Sequence, residues 1–139
     1  MGRTIIIKLE TQPNVSADSL AERFATDIFD VIIDGTRKHF RSEEKECARL
    51  CFLELDEHFQ EYVALDAVDG VCFNAFVRAC ESGLAEYRAT GKTAWGVVHT
   101  DDRRVTQYAW EWSELIKKLH ADPRYMAGQA GETLIKQDF

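Results

Sequence analysis

Proline is scarce in this chain, at two residues in 139, and basic residues are in deficit, with 17 Lys and Arg against 24 Asp and Glu. So few prolines leave little room for extended linkers or proline-rich tracts. The resulting charge of −7 removes the electrostatic footprint expected for binding phosphate backbones or anionic lipid. Long apolar runs are missing as well. Ile5-Ile6-Ile7 is closed at once by Lys8, too short for a membrane span or a secretory core. No lipidation signal is visible: Gly2 leads into Arg3-Thr4-Ile5-Ile6, and the chain closes on Lys136-Gln137-Asp138-Phe139. The expectation is a cytoplasmic protein with no membrane contact and no direct nucleic-acid contact.

Catalytic and cofactor signatures are absent too. There is no Gly-x-Gly-x-x-Gly and no Gly-x-Ser-x-Gly. Gly91-Lys92-Thr93 matches the end of a phosphate loop, but Glu86 stands where its first glycine belongs. Cys47, Cys51, Cys72 and Cys80 lack the tight C-x-x-C knuckles of a zinc site and fall within helix-like segments. They read as reduced core thiols. His99, Asp101 and Asp102 have the residue types of a metal site or a general base, but equally those of a turn followed by a helix cap. Glu54, Glu57, His58 and Glu61 lie away from the apolar stripe of their segment and read as a solvated face. No cofactor or metal is expected.

What the chain does have is apolar periodicity. A hydrophobic fraction of 45% over 139 residues fits a single globular domain spanning 1–139. Thr4 to Leu9 is β-branched and predicts a strand. Ser16 or Asp18 caps a first helix running to about Phe40, with Leu20, Phe24, Ile28, Val31 and Ile32 on one face. Gly35 is placed to weaken or end it. Ser42 caps a second helix carrying Ala48, Cys51, Phe52, Leu55, Phe59, Tyr62 and Val63. Asp69 caps a third, which buries Cys72, Phe73, Phe76, Val77, Cys80, Leu84 and Tyr87 and stops at Gly91; Gly83 in its face invites close backbone approach. Thr93 to Val98 suggests a strand, and Thr100 or Asp101 caps a fourth helix to about His120. Val105 to Trp112 could instead be a hairpin strand, but the helical pattern holds through Leu119. Thr133 to Lys136 could add a short strand. The fold expected is α+β, mostly helical, with about four amphipathic helices and a small sheet of two or three strands.

Several apolar residues fall outside these stripes. Phe29 and Ile33 make a second strip on the first helix, Leu50 and Leu53 one on the second, and Trp110 points away from Tyr108 and Trp112. One account is that these helices are packed on both sides. The sharper account is an uncovered interface, steered by the acidic ridge Asp27, Asp30 and Asp34 and by Glu111 and Glu114 toward a basic partner. On that account the chain is a non-enzymatic acidic binder or inhibitor that covers a basic, nucleic-acid-handling protein. Self-association through the Phe29 and Leu50 strips is a second form of it. The profile fits an accessory protein of a phage or mobile element. The rivals are a small enzyme or metal protein using His99, Asp101, Asp102 or the cysteines, and a ligand pocket lined by Phe73, Phe76, Tyr87 and Trp112.

Overall fold

A computed structural model describes residues 2–7 and 21–126. The expected caps Ser16 and Asp18 and the strand at Thr133 to Lys136 lie outside the described residues. The elements run β1 (Gly2–Ile6), β2 (Ala21–Ala25), α1 (Thr26–Lys38), a 3-10 turn (Ser42–Glu44), α2 (Lys45–Cys51), α3 (Leu53–Asp56), β3 (Tyr62–Ala64), α4 (Gly70–Thr90) and α5 (Asp102–His120). β1 is the middle strand of a three-stranded sheet ordered β2-β1-β3. It pairs antiparallel with β2, where Thr4 faces Arg23, and parallel with β3, where Ile5 faces Val63. The α+β, mostly helical class expected from the sequence is the one found.

The two long helices form where their end signals predict. The Asp69 carboxylate accepts from the Cys72 N–H at 2.9 Å, and Gly91 ends α4 in the left-handed region at φ 66°. The Asp101 carboxylate accepts from the Arg103 N–H at 2.9 Å and starts α5, which runs through Val105 to Trp112 and excludes the hairpin alternative. Gly83 lets the α1 backbone approach closely. A β-carbon there would lie 2.8 Å from the Gly35 carbonyl oxygen and 2.8 Å from the Trp112 ring. Gly35 therefore does not end α1; it lies inside the helix, where its bare Cα admits Trp112. Gly83→Ala is expected to destabilise the protein by about 2 kcal/mol, because backbone must shift to admit the methyl group. Urea unfolding measures this, and an unchanged midpoint would show that the α1–α4 contact is looser than described.

The amino-terminal half departs from the periodic reading in three places. Residues 21–25, expected to be helical, form β2, and the helix begins only at Thr26. The second helix is broken into a 3-10 turn, α2 and α3, since the backbone leaves helical geometry at Phe52 (φ −104°, ψ 16°), and Ser42 lies inside the 3-10 turn, not at the cap. Phe59, expected in the core stripe, is 85% exposed at φ 55°, because the chain turns after Asp56 to enter β3 at Tyr62.

The thiols also differ from expectation. Cys47 on α2 and Cys72 in the first turn of α4 form a disulfide, with their Cα atoms 4.9 Å apart. Adjacent helices placed the two residues together, which spacing along the chain cannot show. Cys51 and Cys80 are free and buried. Burial pushes both thiols up to about 12, so they act as core side chains and not as nucleophiles.

Candidate functional site

The side chains expected to form one interface divide among three places. The first lies on α1. Phe29 and Ile33 are 1% and 2% exposed, which corrects the expectation that they are uncovered. α1 packs against both α4 and the strands β1 and β2, so an apolar strip outside its main stripe is core. Each such side chain contributes roughly 1.5–3 kcal/mol on burial. Leu50 and Leu53 are half-buried, not uncovered, and Leu50 packs against the core. The break at Phe52 shifts the phase between them.

Asp30 and Asp34 remain at the surface beside this buried strip. With Arg3, Arg37, Leu55, Phe59, Gln60 and Glu61 they line an open groove floored by Phe29 and Ile33. Arg3 pairs with Asp30 at 3.5 Å, and Arg37 grips Asp56 with two bonds of 2.7 and 3.0 Å. Burial holds the Asp34 carboxyl above its ordinary range; Arg37 opposes that shift, while Asp30 and Asp56 add to it.

The second place gathers Asp27 with residues of α4, α5 and the segment before α5. The Tyr108 hydroxyl donates to the Asp27 carboxylate, and this bond is the main cause of Asp27's lowered pKa. Burial, with Asp27 adding, pushes the Tyr108 phenol up to about 12. Next to it, the Tyr87 hydroxyl lies 2.6 Å from His99 Nδ1, and the His99 ring stands edge-on to both tyrosines. Burial and the Arg104 charge lower the His99 pKa, favouring the neutral ring. The tyrosines tie His99 into the fold, and Asp101 is occupied as a helix cap. Among the described residues no group of three or more His, Cys, Asp or Glu could hold a metal ion. Of the four side chains of the rival ligand pocket, Phe73, Phe76 and Trp112 are tightly buried and Tyr87 nearly so; Tyr87 and Trp112 line a small cavity with Gly35, Gly83 and Thr93, and Phe73 and Phe76 do not reach it.

The third place is the outer face of α5. Trp110 is 58% exposed there, on the opposite side of the helix from buried Tyr108, Trp112, Leu115 and Leu119. Asp102, Arg103, Thr106 and Gln107 surround it. Glu111 accepts from Gln107, and Glu114 pairs with Lys117 at 2.9 Å.

No family model matches the sequence, and no curated protein matches it. A solved chain does match the fold, with a TM-score of 0.63 at 17% identity, covering 88% of this chain and 97% of that one. It belongs to a structure of the complex between CdiA-CT toxin from Burkholderia pseudomallei E479 and its cognate CdiI immunity protein. The two chains share an α+β architecture.

One surface escaped the sequence reading. Lys92 and Val98 bridge a short hairpin in place of the expected sheet strand, and the hairpin displays Trp95, Val97 and Val98 to solvent. It is held from inside by buried Thr93, whose N–H donates to the Val97 carbonyl at 2.8 Å and whose hydroxyl accepts from the Val97 N–H at 3.0 Å. Gly96, at φ 97° in the middle of an apolar run, was the available signal for a turn.

Proposed function

We propose that this protein is an acidic binding module that docks on a basic protein and covers its working surface, as the inhibitory half of a toxin–immunity pair does. The observation that carries this reading is Trp110, a large aromatic side chain held in water on an ordered helix. Tryptophan is enriched among residues that dominate binding energy, and α5 presents it at little entropic cost. The net charge of −7 supports a positively charged partner, steered to the surface by long-range attraction. The fold shared with a chain of a toxin–immunity complex supports the same role. The inhibitory half is favoured over the toxin because the net charge of −7 suits covering a basic surface. Among the described residues no helix is long and apolar enough to cross a membrane. A cytoplasmic site of action and an origin in a phage or mobile element belong to the same proposal. Self-association through the Phe29 strip is disfavoured, since that side chain is core.

The test is affinity capture from the native host, followed by binding measurements with the captured protein. Trp110→Ala is expected to weaken binding about thirtyfold, the equivalent of about 2 kcal/mol, with the melting temperature unchanged. Association is expected to slow as salt rises. An acidic partner, or a Trp110→Ala variant that binds as tightly as the parent, would overturn the reading.

A further inference from the structure

The groove beside α1 adds a contact of defined chemistry. Its two cations are already engaged, Arg3 with Asp30 and Arg37 with Asp56. Asp34 lies between those pairs, half-buried, and makes no hydrogen bond or ion pair among the described residues. Its carboxylate has lost part of its hydration, and Arg37 compensates only through its field. At the rim stands Phe59, almost wholly exposed in the left-handed region. That backbone conformation is a genuine outlier for a bulky residue. The chain thus holds an apolar ring and an unpaired carboxylate along one groove, the combination that suits a side chain with a methylene stem and a cationic head.

We propose that this groove receives a lysine or arginine side chain from the partner's basic surface, its stem along Phe59 and its charge against Asp34. The inference rests on the proposed function, because it assumes a basic partner. It adds a place and a chemistry to that reading. Charge complementarity selects this occupant: a neutral or acidic segment would leave Asp34 desolvated without compensation, whereas a cation restores what burial removed. The contact is distinct from the anchor at Trp110, which lines a different depression on α5.

The experiment is an amide NMR titration of the full chain with capped hexa-arginine, using hexa-glutamate as control, at low and moderate salt. Saturable shifts are expected at Asp30, Asp34, Leu55 and Phe59 with hexa-arginine and none with hexa-glutamate. Asp34→Asn is expected to weaken that binding at least fivefold and Phe59→Ser at least threefold. Both substitutions are at solvent-accessible positions, and a dispersed spectrum of each variant verifies folding before titration. Glu43→Gln, at an exposed position outside the groove, should leave the affinity unchanged. Shifts centred on Trp110, or an Asp34→Asn variant that binds as tightly as the parent, would overturn the groove assignment while leaving the basic-partner reading intact. Absence of any saturable shift would overturn the groove as well. The reading itself falls on its own tests, an acidic captured partner or a Trp110→Ala variant that binds that partner as tightly as the parent.

Discussion

Arg124→Ala is expected to lower the unfolding free energy by about 4 kcal/mol. No other side chain described here joins so many separate parts of the fold. Its Nη1 donates to the carbonyls of Leu65 and Val68 at 2.6 and 2.9 Å, and its Nη2 to the Ile7 carbonyl at 2.8 Å. Nε and Nη2 grip the Asp122 carboxylate at 2.9 and 3.0 Å, and the guanidinium covers the Phe73 ring at 4.1 Å. One planar fork thus ties the end of β1, the β3–α4 turn, α4 and the chain after α5. Truncation strips a nearly buried carboxylate of its bidentate partner and takes the donors from three carbonyls, with desolvation costs of about 1–3 kcal/mol for each group left unsatisfied. Arg124→Lys is expected to recover less than half of the loss, since a point charge cannot reproduce the fork. Urea unfolding of both variants measures this. A loss below about 1 kcal/mol for Arg124→Ala would show that these hydrogen bonds are exchanged for water without penalty.

Reducing the Cys47–Cys72 disulfide is expected to cost about 3.5 kcal/mol, the chain-entropy value for a loop of this size. The bond joins residues 25 apart in sequence and fastens α2 to the first turn of α4. Its loss frees the unfolded chain more than it disturbs the folded one, because Asp69 still caps α4 and Cys51 is still buried against the Cys72 carbonyl at 3.9 Å. The protein should therefore remain folded when reduced, with a lower unfolding midpoint. Unfolding in urea with and without a phosphine reductant, repeated on Cys47→Ala, checks this. Identical curves would show that the two sulfurs are not bonded in solution. The prediction also bears on location: a reducing cytoplasm would hold the pair as thiols, leaving the protein to function on its remaining stability.

The candidate interface was only partly legible in the sequence. Trp110 could be found because α5 is a single uninterrupted helix, so a residue opposite Tyr108 and Trp112 must face outward. Phe29 and Ile33 could not be placed by the same reasoning. Together with Ile28, Val31 and Ile32 they wrap most of the way around α1, and a helix that is apolar on most sides is a central one. Leu53 and Phe59 escape a continuous helical pattern because the backbone departs from it at Phe52 and again after Asp56, while Leu50, ahead of that break, packs against the core from a half-buried position. The Tyr87–His99 and Asp27–Tyr108 contacts join residues 12 and 81 apart, and no local pattern records such pairings.

By itself the sequence determined the elements whose signals are local. Asp69, Gly91 and Asp101 satisfy the ends of α4 and α5 through their own side chains or their own backbone freedom, and β-branched residues near the start of the chain make β1. The charge that orients the functional reading is also fixed by composition. Only the tertiary structure decided that residues 21–25 leave the helical stripe for β2, that α1 is covered on two sides, and which cysteines meet. An apolar stripe records that a segment must be covered, and the identity of what covers it depends on partners distant in the chain.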